Sequence, residues 1–275
     1  MVIFGEDGIF TFRGAESHIG QSKNLFFDIL WCFWMMILYT VLGVAVNLVG
    51  TAAAETFGVE SSVYVITTVF DFLLAAILLP VIPSIGKREG RHGAVIATLV
   101  VLVPVCWLIS SVLCTLIYQY GDMSFTSYQD AQAAASPFWS ILFTLIAAPV
   151  SEEMLFRGCF YGGLRRSHNV VVSAVVSSAF FAFAHGTLVH LPLTFLLGIV
   201  CCMAYEQIGD IRASMLVHIA TNSLSMFAAP MVMLPEFMYE PVVIGALYLL
   251  CVSVAVAVSI VFDYLGREVR GGDEI

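Results

Sequence analysis

The stretch that decides the fold is residues 137–164, which read PFWSILFTLIAAPVSEEMLFRGCFYGGL. It is long and apolar enough for an α-helix that crosses a bilayer, which needs roughly 20 such residues. Three ionisable residues interrupt it: Glu152, Glu153 and Arg157. On insertion scales such residues cost roughly 2.5 to 3.5 kcal/mol each near the bilayer centre, so they usually mark function. The stretch therefore predicts a membrane-spanning helix that carries part of a functional site.

The whole chain has the composition of a membrane protein, with 60% apolar and 11% charged residues among 275. Apolar stretches that qualify as spans, or nearly so, lie at about 26–49, 62–84, 93–118, 137–164, 169–185, 190–206, 211–229 and 241–262. We predict an all-α membrane protein, a bundle of about eight transmembrane helices with a polar intramembrane cavity. Its domains are a tail (1–25), the helical domain (26–262) and a second tail (263–275).

The basic residues test this count, because Lys and Arg gather on the cytoplasmic side of a membrane. Apart from Arg157 within the fourth span, they are Arg13, Lys23, Lys87, Arg88, Arg91, Arg165, Arg166, Arg212 at the start of the seventh span, Arg267 and Arg270. All of them fall before the first span or after an even-numbered one. We therefore predict an integral protein of a prokaryotic cell membrane with both termini cytoplasmic.

Charge and cysteine usage exclude other classes of protein. The net charge of −9 is opposite to that of a nucleic-acid-binding protein, so the bilayer is the expected partner. All seven cysteines lie in apolar stretches, without a C-x-x-C pair or metal-finger spacing. They are expected to be small buried hydrophobic residues.

The two adjacent acids are expected to have different roles. Glu153 and Arg157 are four residues apart, in the order that favours an ion pair on one helix face. Glu152 points about 100° away, so we predict that it faces a polar cavity and acts as a base. Pro149 cannot donate a backbone hydrogen bond and is expected to kink the helix and admit water there. The alternative is a buried ion pair that only locks helix packing.

Two histidines on separate predicted helices accompany the acids. Phe181 and His185 share one helix face, as do His218 and Asn222, because each pair is four residues apart. A glutamate can take a proton from water, a histidine can hold that water or return the proton, and an asparagine amide can stabilise an oxyanion. This chemistry is hydrolysis. Alternatively, Glu152, His185 and His218 form a known type of catalytic zinc ligand set.

At these residues the chain resembles the CAAX protease and bacteriocin-processing (CPBP, or Abi) family of intramembrane endopeptidases, which includes the prenyl-protein endopeptidases. The motifs, all within 152–222, are Glu152-Glu153-x-x-x-Arg157, Phe181-x-x-x-His185 and His218-x-x-x-Asn222.

The resemblance implies hydrolysis of a peptide bond in a membrane-associated protein or peptide, in a cavity open to the cytoplasm. Glu152 would activate water with His185 or His218, and Asn222 would help to form the oxyanion site. Although the family is commonly called metalloprotease, we expect the glutamate-driven mechanism, without required zinc.

Two rival functions stay open at this point. A proton-coupled transporter or channel would use buried acids and histidines as a relay, but would be expected to show matched broken helices in its two halves. A non-enzymatic immunity or scaffold protein of the same fold would keep the polar site for structure alone.

Other polar residues are given minor roles. Asp71 is expected to make a hydrogen-bonded packing contact, and Glu206 and Asp210 are expected to be solvated. Gly158 and Gly162 are spaced as a face for close helix contact.

Overall fold

A computed structural model describes residues 2–4, 10–12, 24–59, 62–82, 137–185 and 191–227, with a few positions between 240 and 249. Two short strands, β1 (Val2–Phe4) and β2 (Phe10–Phe12), pair antiparallel. The helices are α1 (Leu25–Phe57), α2 (Ser62–Leu78), α3 (residues 137–164), α4 (Val170–Ala184), α5 (Leu191–Ile208) and α6 (Arg212–Phe227). The predicted all-α membrane class is confirmed, and the small hairpin was not predicted.

Six of the predicted spans fall on described residues, and each of them is helical. Three helices are long and apolar enough to cross a membrane, namely Leu25–Phe57, Ser62–Val81 and Phe138–Leu164, whereas Val170–Ala184 and Leu193–Ile208 are apolar but shorter. The predicted span 93–118 and most of 241–262 lie outside the described residues. The count of eight therefore stays a prediction.

Helix α1 continues well beyond the predicted end at residue 49. The side chain of Asn24 caps its first turn by accepting a hydrogen bond from the Phe26 N–H at 3.1 Å. It ends where Gly58 takes a left-handed conformation (φ 67°) and donates its N–H to Ala54 O. The end is set by this glycine rather than by the loss of apolar residues that guided the prediction.

Helix α3 is continuous but not uniform. The stretches Phe143–Ala147 and Met154–Tyr161 are π-helical, and Ala148–Glu153 between them is α-helical and contains Pro149. Such wider turns are rare in helices and frequent at functional sites. These wider turns lie on both sides of the two acids, whereas the kink and water entry expected at Pro149 stay predictions.

The core lies where α3, α4 and α5 pack together. A Cβ atom on Gly198 of α5 would lie 2.7 Å from Ser178 Cβ of α4, so these helices approach closely. Gly158 of α3 is equally tight, because a Cβ there would lie 2.8 Å from the end of the Ile82 side chain. The close contact predicted for Gly158 is confirmed, and Gly162 is buried in the same helix.

The cysteine prediction also holds where it is tested. Cys32, Cys159, Cys201 and Cys202 are buried and free. The remaining three cysteines lie outside the described residues.

Candidate active site

The helices bring one carboxylate and two imidazoles together. Glu152 of α3 has its Oε2 atom 4.0 Å from Nε2 of His185, which caps the end of α4, and 3.8 Å from Nε2 of His218 on α6. The side chains of Glu152 and His185 are 17% and 30% exposed, whereas that of His218 is 3% exposed. The site is therefore open on the side of His185 and closed behind His218.

Glu153 orients His218 from the rear. Its Oε1 atom lies 2.8 Å from Nδ1 of His218 and 3.0 Å from an Nη atom of Arg157. A carboxylate paired with a guanidinium stays ionised and can only accept hydrogen bonds, so Nδ1 of His218 must be the protonated nitrogen. The other ring nitrogen of His218, Nε2, faces Glu152.

His185 is also oriented through its Nδ1 atom, but by a backbone carbonyl instead of a carboxylate. Its Nδ1 atom lies 2.8 Å from the carbonyl oxygen of Phe181, one turn earlier in α4. Because a carbonyl only accepts, Nδ1 of His185 carries the proton. Both histidines thus present Nε2 to Glu152, and each is held at Nδ1 by a different acceptor.

The Phe181 ring fills the space between the charged groups. It makes edge contacts with the rings of His185 (centroids 4.6 Å apart) and His218 (5.6 Å), and the Arg157 guanidinium carbon lies 4.2 Å from its centroid. A cation over an aromatic face is attracted to the ring. Phe181 therefore supports the site with both its ring and its carbonyl group, as its place in a motif suggested.

The ion pair between Glu153 and Arg157 was predicted and is present, with both side chains fully buried. The three guanidinium nitrogens of Arg157 make no directed hydrogen bond in the described structure, so charge attraction and the Phe181 ring hold the group. A buried charge without a counter-charge is strongly unfavourable. Glu153 therefore neutralises Arg157 as well as orienting His218.

Asn222 lies one turn beyond His218 on α6. Its amide nitrogen donates a hydrogen bond to the carbonyl oxygen of Thr144 at 2.9 Å. A side-chain amide carries two N–H groups, and this contact uses one of them. The sequence predicted an oxyanion donor at this position and did not reveal the contact with Thr144.

Asp71 is a further polar neighbour of the site, contributed by α2. Its Oδ1 atom accepts a hydrogen bond at 2.9 Å from the hydroxyl of Ser151, the residue before Glu152. The expected hydrogen-bonded packing contact of Asp71 is thus present, and it joins α2 to the acid-bearing turn of α3. An acid in an apolar span is the sequence signal for such a role.

The prediction that Glu206 is solvated was wrong. Its side chain is 8% exposed, and its carboxylate binds the Tyr161 hydroxyl at 2.7 Å and the Arg165 guanidinium at 3.1 Å through both oxygens. Burial is tolerated because a cation and a hydroxyl satisfy the carboxylate. Asp210, also expected to be solvated, is half-buried and binds the guanidinium of Arg212.

The donor set around Glu152 is chemically suited to zinc, and hydrogen-bonded Nδ1 atoms are usual in histidines that bind metal through Nε2. However, within the described ranges no group of three or more His, Cys, Asp or Glu side chains is placed to hold a metal ion. The possible zinc site of Glu152, His185 and His218 therefore stays a prediction.

Comparison with known proteins points to one family. Residues 134–224, which contain all three motifs, match the family model described as Rce1-like, type II CAAX prenyl endopeptidase. The chain is 28% identical over 83 residues to a putative membrane peptidase, YdiL, of Bacillus subtilis, and 28% identical over 88 residues to the membrane-embedded CAAX protease MroQ of Staphylococcus aureus.

Each alignment covers 30% of this chain, and the chain spans about a third of each relative, 34% and 36% of their lengths. No solved structure matches. The family resemblance predicted from the motifs is confirmed over the matched segment.

Proposed function

We propose that this chain, which matches the type II CAAX prenyl endopeptidases over residues 134–224, is an intramembrane endopeptidase that hydrolyses a peptide bond of a membrane-associated protein or peptide. One observation carries the proposal. The Oε2 atom of Glu152 faces the Nε2 atoms of two histidines whose Nδ1 atoms are both held by acceptors. Packing alone does not require two oriented imidazoles around one acid.

Glu152 is the general base in this proposal. Its distances of 3.8 and 4.0 Å to the two Nε2 atoms exceed a direct hydrogen bond, and we infer that a water connects these three groups. A water held there is placed to give its proton to Glu152 as its oxygen attacks the peptide carbonyl carbon. General base catalysis of this kind typically contributes about 10²- to 10⁴-fold in rate.

The two histidines have different roles in this proposal. His218, which is buried and held by Glu153, orients the attacking water. His185 is the more exposed and lies on the open side, where its Nε2 atom is placed to receive the proton that Glu152 takes from water and to pass it to the leaving amine. The second N–H of Asn222 stabilises the oxyanion of the tetrahedral intermediate, a contribution commonly worth about 10²- to 10³-fold.

The substrate class follows from the surroundings of the site. Glu152 lies in the middle of α3, one of the helices long enough to span a bilayer, so a substrate must reach it within or beside the membrane. The names of the two relatives, a membrane peptidase and a CAAX protease, agree with a membrane-tethered peptide. The pattern of basic residues favours cytoplasmic termini, and the family resemblance favours access to the site from the same side.

The test is cleavage of lipid-tethered peptides by protein reconstituted in bacterial lipid. The panel comprises a prenylated carboxy-terminal peptide, a bacteriocin leader and a pheromone precursor. Glu152→Ala and His218→Ala should abolish turnover. The control is Ser223→Ala, which lies on the same helix as His218 but donates only to the Ile219 carbonyl one turn earlier, and it should retain turnover. Equal turnover by all variants would contradict the proposal.

A second arm of this experiment addresses zinc. Protein stripped with a strong chelator, and shown by elemental analysis to lack zinc, is expected to keep its activity. Loss of activity that zinc restores would instead assign Glu152, His185 and His218 as metal ligands.

A further inference from the structure

The carbonyl oxygen of Thr144 lacks its regular backbone donors. In an α-helix it would accept from the N–H of residue 148, four positions later. Here the Ala148 N–H donates instead to the carbonyl of Phe143, five positions earlier, because this turn is π-helical. The regular partner of Thr144 is therefore engaged elsewhere.

The next donor along the helix does not exist. Continuing the π-helical register would pair Thr144 with residue 149, which is proline and has no N–H. The Thr144 carbonyl is partly buried, and a carbonyl shielded from water without a donor is unfavourable, commonly by about 1 to 3 kcal/mol. The π-turn and Pro149 together leave an acceptor that only another element can satisfy.

Asn222 supplies the missing donor. Its amide nitrogen lies 2.9 Å from Thr144 O, and the contact joins α6 to α3. We infer that Asn222 is a positioning residue: its amide replaces the backbone donor that Pro149 lacks and holds the irregular turn that presents Glu152 to His218. Asn222 thus acts through Glu152 and His218, in addition to the oxyanion role proposed above.

The placement of these residues along the two helices explains why this contact matters for the site. Glu152 lies three residues after Pro149 on α3, and His218 lies one turn before Asn222 on α6. The Glu152–His218 approach of 3.8 Å and the Asn222–Thr144 hydrogen bond therefore fix α6 against α3 at two points on either side of Pro149. Loss of the second contact frees the turn that carries the acid.

The test is a double-mutant cycle between Asn222→Ala and Pro149→Ala in the full chain. Alanine at 149 restores an N–H aimed at Thr144, so it should compensate for the lost amide. We expect Asn222→Ala to lower Tm by about 2 to 12 °C in the native background, at roughly 2 to 4 °C per kcal/mol. In the Pro149→Ala background the loss of Tm should be at most half as large, and part of the lost kcat should return.

The matched control is Ser223→Ala. The Ser223 hydroxyl donates to the Ile219 carbonyl within α6 at 2.7 Å, so its loss should change Tm equally in both backgrounds. Equal effects of Asn222→Ala on Tm and kcat in both backgrounds would overturn the inference and leave Asn222 as an oxyanion donor alone. If Asn222→Ala fails to fold, its recovery by Pro149→Ala supports the inference and failure in both backgrounds contradicts it.

The inference rests on the proposed function only for the kcat measurement. The cycle in Tm needs no substrate. Absence of peptidase activity would therefore contradict the proposed function while leaving the thermal cycle as an independent test of the contact between Asn222 and Thr144.

Discussion

Replacing Glu153 with glutamine should separate its two roles, counter-charge for Arg157 and orienting group for His218. The substitution keeps the shape of the side chain and removes its charge. Arg157, which is 0% exposed, then has no counter-charge at 3.0 Å. Nδ1 of His218 loses the ionised acceptor at 2.8 Å, and the new amide can donate to it and reverse the tautomer.

The expected loss of stability is large. Removing one partner of a fully buried ion pair typically costs about 3 to 5 kcal/mol. For a chain of this size that corresponds to a fall in Tm of about 6 to 20 °C. Adding Arg157→Met removes the stranded charge, so the double variant should regain most of the stability.

Activity should not return with stability. In the double variant, His218 still lacks the carboxylate that sets its tautomer and would stabilise its protonated form. We expect kcat to stay about 10² to 10⁴ below the native value, the range typical of lost acid–base assistance. Tm measured in detergent and kcat on a tethered peptide, corrected for the folded fraction, give the two readouts.

Glu206→Gln is the matched control for this experiment. It also removes a buried carboxylate, one paired with Arg165 outside the site, so it should lower Tm but leave the kcat of folded protein unchanged. If the double variant of Glu153 and Arg157 regained both stability and activity, Glu153 would be only a counter-charge. An unchanged Tm in Glu153→Gln alone would refute the ion-pair argument.

Substitutions at Gly158, Phe181 and Asp71 test the packing around the site. Gly158→Ala places a Cβ 2.8 Å from the flexible end of the Ile82 side chain, which can move aside, so it should destabilise by at most about 1 kcal/mol in chemical unfolding, and Ile82→Ala should relieve that loss. Phe181→Leu keeps the backbone carbonyl but removes the ring contacts, so kcat should fall more than KM rises. Asp71→Asn keeps an acceptor for Ser151, so it should retain more Tm than Asp71→Ala, and equal losses would contradict this.

The residues of the candidate site could be predicted because the first and last residues of each motif lie about one helical turn apart. Spacing of four residues was enough to predict the pair of Glu153 with Arg157 and the different direction of Glu152. The same spacing could not show that Glu153 also binds His218, because these residues are 65 positions apart and meet only when α3 packs on α6.

The errors have the same physical origin. Glu206 was expected in solvent because it lies near the end of its helix, yet Tyr161 and Arg165 from a different part of the chain enclose it. The contact of Asn222 with Thr144 depends on a π-turn that composition does not reveal. Pairs of residues one helical turn apart could be predicted from the sequence. The π-turn and the partners of Glu206 and Asn222 on other helices could not.

The most direct test of the central claim is the kcat of Glu152→Gln on a tethered peptide that the native protein cleaves. Glutamine keeps the size and polarity of the side chain but cannot take a proton from water. We predict a fall of about 10² to 10⁴ in kcat with an unchanged Tm. A Glu152→Gln protein that cleaves at the native rate would contradict the claim that Glu152 activates the attacking water.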